Sequence, residues 1–206
     1  MNGQGRSNSS RRRLVEATAR LLRERGLQGV RIRDVASYAG MSAGSVLYHF
    51  ANTDDLLFAV HQDAVANYLA SRTAAAHGSP DPRSRLIQCF KAGVPIFADA
   101  TTIELLYEVH GLARRSHRHA ELLSELWRTE VGLYVEIVRD GIAAGVFRTT
   151  SVESAAQALM ALEDGLVLHL TSRNEMIDSA RAMQTFQSAA AEILHCPPLA
   201  GNSRIG

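Results

Sequence analysis

The chain holds 206 residues, 46% hydrophobic and 21% charged, with a net charge of +1, which is ordinary for a globular domain pair and excludes a coat of one charge sign. No apolar run approaches the roughly 20 residues a bilayer span needs, and Met1–Arg13 offers no apolar core for a secretory leader. With Cys89 and Cys196 read as unpaired thiols, the expectation is a cytoplasmic protein with no membrane partner.

The charge is spread unevenly. Residues 1–50 carry nine arginines against Glu16, Glu24 and Asp34, a net +6, which leaves −5 for the remainder. A basic head on an acidic body predicts that one end meets nucleic acid. Residues 1–10, polar and rich in Gly, Ser and Asn, read as a disordered tail. A first helix is expected from Arg11, capped by Ser9 or Ser10, with Leu14, Ala17, Thr18, Leu21 and Leu22 inside and Gly26 at its end. Arg11, Arg12 and Arg13 oppose the helix dipole at that end, so phosphate contact is expected of them.

Ile32, Val35, Ala36 and Ala39 recur at i, i+3, i+4 and i+7 and predict a second helix over 32–39. Gly40 can take the left-handed conformation that stops it. Met41 is expected as a buried hinge residue, and Ser42 as the N-cap of a third helix over about 43–50. Val46 and Phe50 point inward. The outward residues are small or polar: Ala43 and Gly44 admit close approach, and Ser45, Tyr48 and His49 can bond phosphates or base edges. Two short helices across a glycine turn, at about 32–50, describe a helix-turn-helix.

The run AGMSAGSVLYHF followed by NTDDLL resembles the DNA-binding domain of the TetR (tetracycline-repressor) family of bacterial transcription regulators, closely over Arg11–Val60. The resemblance implies an all-α fold of about nine helices. An N-terminal three-helix DNA-binding domain (11–55) precedes a larger helical ligand-binding and dimerisation domain (56–198). It implies double-stranded DNA as partner, and a repressor released from its operator by a small apolar or amphipathic molecule. Three positions depart from the family pattern. Arg31 stands where a capping threonine is usual, Leu47 where a phosphate-binding tyrosine is usual, and Thr53 where a lysine is usual. Arg31 and Arg33 can reach phosphate with a longer arm. Tyr48 can take the tyrosine's role, or Leu47 can meet a thymine methyl.

Further helices are expected at about 54–76, 83–98 (kinked or shortened by Pro95), 101–115, 120–144 (ended by Gly145), 152–172 and 175–195. Helix 8 is apolar nearly all round, and helix 9 carries a stripe of Met176, Ala180, Met183, Phe186, Ala190 and Ile193. A symmetric partner would bury both, in a four-helix bundle built on Leu159, Leu162, Gly165, Leu166, Leu170, Met183, Phe186 and Ala190. Two recognition helices related by that symmetry would read a near-palindromic operator.

The resemblance also implies an effector cavity within helices 5–7, roofed by helix 8. Its apolar wall candidates are Phe90, Phe97, Leu105, Leu106, Tyr107, Trp127, Tyr134 and Leu162, and its polar ones Gln88, Thr102, Glu104, His110, Glu130 and Glu163. His117 and His119 read as part of a loop between helices 6 and 7, among arginines that repel a cation, so no metal and no cofactor is expected. No phosphate-cradling loop, nucleophile elbow or converging carboxylate pair is present, and the chain is not expected to be an enzyme. The other reading is an architectural or partner-controlled DNA binder without a small-molecule inducer.

Overall fold

The computed structural model describes residues 3–199 apart from 96, 99 and 173. Among the described residues there are nine α-helices and no strand: α1 Gly3–Arg25, α2 Ile32–Ala39, α3 Ala43–His49, α4 Thr53–His77, α5 Pro82–Gly93, α6 Ala100–His110, α7 His117–Ala143, α8 Val152–Thr171 and α9 Ser179–Ile193. Short 3-10 turns occupy Leu27–Gly29 and Gly111–Arg114.

Local chemistry sets most boundaries. Gly40 ends α2 in the left-handed region (φ 61°), its N–H turned back to the Ala36 and Ser37 carbonyls. Met41 follows half-buried rather than buried, its N–H donating to Ala36 O at 2.9 Å. The Ser42 hydroxyl accepts from the Ser45 N–H at 3.1 Å and opens α3. Asn52 does the same for α4, accepting from the Asp55 N–H at 2.8 Å. Asp81 caps α5, with Pro82 at its first position, where the missing N–H costs nothing.

Four expectations need correction. α1 begins at Gly3, so Ser9 and Ser10 lie inside the helix and cap nothing. No proline interrupts 3–13, and extending an established helix needs only one residue ordered per bond; Met1 and Asn2 fall outside the described residues. α5 stops at Gly93, because Pro95 cannot donate a helical bond. α7 begins at His117, which puts His117 and His119 on its first turn rather than in a loop. α9 starts only at Ser179, under the cap of Asp178, so Met176 precedes it and is 74% exposed.

The chain divides into two compact units. The first is Met1–Asn67 with Glu104–Leu123, and the second is Tyr68–Ile103 with Ser124–Gly206. The expected boundary near residue 55 lies inside the first unit. α4, α6 and α7 each contribute residues to both.

In the first unit Leu14, Ala17, Thr18, Leu21 and Leu22 of α1 are buried with Val35, Ala36 and Ala39 of α2 and Val46 of α3. Each large apolar side chain so buried contributes roughly 1.5–3 kcal/mol. The Leu27 N–H donates to Glu108 at 3.1 Å. Arg118, on the first turn of α7, pairs with both Asp54 and Asp55 at the start of α4, the Asp55 contact being 2.7 Å. In the second unit Phe90 stacks on Phe186 with ring centroids 3.9 Å apart, inside a core that includes Leu86, Tyr134, Ile137, Leu159, Met160 and Ala190.

Candidate nucleic-acid interface and effector region

α3 presents an uncovered face. Tyr48 is 81% exposed and Leu47 51%, with Gly44 exposed between them and the cap. A Cβ on Gly44 would meet nothing closer than the Ser42 hydroxyl at 3.9 Å, so nothing within the protein explains its small size. His49 is half-buried and meets the Tyr48 ring edge-on at 5.1 Å, which orients that ring. Ser45 and Ala43 are half-buried, and Ser42 has its hydroxyl engaged as a cap. Thr53 is the half-buried first residue of α4.

The arginines divide by role. Arg31 and Arg33 are exposed; Arg31 occupies the N-cap of α2 in extended conformation and caps nothing with its side chain. Arg11 is laid over the Phe50 ring at 5.0 Å, and Arg12 stands 3.5 Å from Glu16 on the surface. Arg13, although exposed, is engaged within the first unit. Its guanidinium donates to the Ala39 carbonyl at 2.7 Å, satisfying the C-terminal end of α2. That bond fixes α1 against the helix-turn-helix and leaves Arg13 the least available of the three for DNA.

The effector candidates fall in both units. Glu104, Leu105, Leu106, Tyr107 and His110 belong to the first, where Leu105 and Leu106 are buried and Tyr107 and His110 half-buried. In the second, Gln88, Phe97 and Trp127 are exposed. Thr102 and Leu162 are half-buried. Glu130, Tyr134 and Glu163 do come together, around a residue that the sequence reading passed over.

That residue is Arg72, fully buried. Its guanidinium pairs tightly with Glu163, donates to the Cys89 carbonyl at 3.2 Å, and lies 3.7 Å from Glu130. The Tyr68 and Tyr134 rings stand 5.6 and 5.5 Å from its centre. The Tyr68 hydroxyl donates to Glu130 at 2.8 Å, and that of Tyr134 donates to Glu163. Two carboxylates therefore share one buried cation. Burial pushes the Glu130 carboxyl up to about 7 against the pull of Arg72, and pushes Glu163 up as well. Burial also pushes the Cys89 thiol up to about 11, so it is an inert core residue. Gly93 passes so close that a Cβ there would collide with Glu163 and Arg72.

Both parts of the chain match known families. Residues 14–60 match the model of bacterial regulatory proteins of the tetR family, and residues 82–195 match the C-terminal domain of BetI-type transcriptional repressors. The chain belongs to the TetR family. It is 31% identical to the HTH-type transcriptional regulator BetI of Burkholderia mallei, over 84% of this chain and 88% of that one. It is 27% identical to the nicotine-responsive repressor HdnoR of Paenarthrobacter nicotinovorans, over 77% of this chain and 81% of the relative. Among solved structures it resembles a Saccharomonospora viridis regulator in complex with choline, with 26% identity, a TM-score of 0.79, and 90% and 96% of the two chains covered. The protein is thus a TetR-family transcriptional repressor and not an enzyme.

As a TetR-family chain, it raises the question of which residues are free to meet a second copy. Leu159, Phe186 and Ala190 are fully buried in the protomer's own core and Leu166 nearly so, so these four have no surface to give a partner. Helical period alone could not say which apolar stripe of α8 faces home. The outer stripe is Ala158, Ala161, Gly165 and Leu168, all exposed, with Leu162, Leu170 and Met183 half-buried beside it. A Cβ on Gly165 would meet nothing within 4 Å. No helix among the described residues is long and apolar enough to cross a membrane.

Proposed function

We propose that this repressor acts in the cytoplasm as a homodimer on a near-palindromic operator, and leaves it when a small amphipathic molecule binds the helical body. The uncovered face of α3 carries the DNA half of the reading, since a tyrosine 81% exposed and a leucine 51% exposed stand side by side on it, with the His49 ring meeting the tyrosine edge-on. Arg11, Arg12, Arg31, Arg33, Ser45, Tyr48, His49 and Thr53 supply phosphate and base contacts there, and Leu47 an apolar one. The small outer stripe of α8 supports dimerisation: Gly165 costs about 1 kcal/mol in a helix interior relative to Ala, a cost that close approach of a second helix would offset. The choline complex of the neighbouring structure and the nicotine response of the relative support a cationic amphipath as effector.

The test is an anisotropy titration with the DNA upstream of the chain's own gene. Tyr48→Ala and Ser45→Ala should weaken binding without dissociating the dimer, and Gly44→Glu should abolish it. Arg33→Ala should reduce the slope of log affinity against log salt by about 1, as expected for one phosphate contact. Full affinity in Tyr48→Ala would show that another face meets the DNA. Choline and nicotine serve as first probes in a thermal-shift screen; saturation at a hundredfold over Kd stabilises by about 2.7 kcal/mol. If no cationic or apolar probe shifts the transition, control by a protein partner becomes the better reading.

A further inference from the structure

Five rings follow one another through the first unit, from α4, α7 and α6. Phe58 meets His119 edge-on at 5.2 Å, and His119 stacks on His61 at 5.1 Å. His61 lies 6.5 Å from His110, which stacks on Tyr107 at 5.2 Å. His61 and His119 are both fully buried, and their Nδ1 atoms are 2.8 Å apart. That distance is a hydrogen bond, so one Nδ1–H donates and the other Nδ1 accepts. The Nε2 of each ring is buried without a partner.

The charged and titratable groups facing the pair are few. From α4 come Asp54 and Asp55, from α7 Arg118, and from α6 His110. Arg118 already engages both aspartates and stands 4.7 Å over the Phe58 ring. The His110 Nδ1–H donates to the Leu106 carbonyl at 2.7 Å. Among the described contacts no carboxylate touches either buried ring. An added proton on the pair would therefore be a buried cation beside Arg118, and a second would set N–H against N–H.

We propose that the His61–His119 pair is a proton-operated latch, which holds the first turn of α7 on α4 while neutral, and on protonation releases that turn and lowers operator affinity. The inference rests on the DNA-binding reading given above, since α4 begins at Thr53, directly after the α3 face assigned to DNA. Burial, then the neighbouring imidazoles, push His61 down to about 4, and burial also lowers His119. A released imidazole returns to an ordinary value of about 6.5. The latch is therefore whole above about pH 6.5 and weakens as pH falls from there towards 4.

Two measurements test it on the full chain. The first is amide exchange at Ala120–Leu123, beginning with the Ala120 N–H that donates to the Ser116 carbonyl at 3.1 Å, between pH 8 and 5. With His61 near 4 closed and 6.5 open, protection should fall by roughly 30-fold at pH 5, after correction for intrinsic exchange. The second is operator affinity over the same range at fixed ionic strength. The wild type should weaken several-fold in acid, and the His61→Phe/His119→Phe double variant should not. Any acid effect that does not involve the pair is common to both proteins, so the ratio of their affinities isolates the latch. His61→Asn, which keeps a hydrogen-bond partner for the His119 Nδ1 and removes the ring held near 4, should lose most of the acid weakening and serves if the double variant fails to fold. Unchanged protection at pH 5, or ring-proton titration of both histidines near 6.5, overturns the proposal. Absence of operator binding at any pH overturns the DNA reading instead, and leaves the exchange measurement to judge the latch.

Discussion

Replacing Arg72 with methionine keeps most of the volume and removes the one cation among Glu163, Glu130, Tyr68 and Tyr134. Both carboxylates are nearly inaccessible to water, so neither can be solvated in place. Removing one partner of a buried ion pair typically costs about 3–5 kcal/mol, because an uncompensated charge remains. For a chain of this size each kcal/mol moves the thermal midpoint by about 2–4 °C. Arg72→Met should therefore melt about 6–20 °C below the wild type at pH 8 in calorimetry. The loss should shrink at pH 5, where Glu130, held near 7, is already protonated. Arg72→Met/Glu163→Met, which removes both ends of the tight pair, should regain at least half of the loss. A single variant within about 1 kcal/mol of the wild type would refute the argument, as would a double variant less stable than the single one.

Three further outcomes follow from the same structure. Glu130→Gln should stabilise the chain at pH 8 and leave it unchanged near pH 4.5: a carboxyl whose folded value is raised to about 7 opposes folding above its ordinary value and is harmless when protonated, which urea titrations at the two pH values would show. Gly93→Ala should cost about 1–3 kcal/mol in the same assay, because its Cβ would collide with Glu163 and Arg72 and both are held by other partners. Arg13→Ala should lose about 1.5–3 kcal/mol of stability with its bond to Ala39 O, whereas Arg12→Ala should weaken the operator complex and leave the melting temperature alone.

The helix-turn-helix was legible because its signals are local. A helical stripe, one glycine and one serine cap lie within 19 consecutive residues, and α2 runs Ile32–Ala39 as the stripe predicts. The second unit's polar centre was legible only in part. Glu130 and Glu163 each interrupt an apolar helical stripe, and so does Arg72, four residues after Tyr68 and four before Ala76 on α4. A charge on a buried stripe needs a buried partner, but the sequence does not say which stripes meet. The histidines were hidden for the same reason. His61 and His119 are 58 positions apart, and placing α7 three residues too late turned one of them into a loop residue. That Leu159, Leu166, Phe186 and Ala190 are buried within the chain was not legible because α8 is apolar on both sides, so only the structure separates the stripe that faces home from the stripe that faces out.

Glu104–Leu123 belongs to the same unit as the recognition helix, and this has a consequence for how the chain is made. A ribosome delivers the residues of α1–α3 early, yet Leu27 bonds Glu108, and His61 waits for His119. At about 5–20 residues per second, the interval between those late contacts and the early ones is several seconds of synthesis. During that time the nascent N-terminal segment has its own small core but lacks the strap that closes it. A fragment ending at Asn67 would be arrested at that stage, with His61 lacking the His119 and His110 rings that meet it. The first unit thus closes only once Leu123 has been made, well after its helix-turn-helix, and an excised N-terminal piece is not its equivalent.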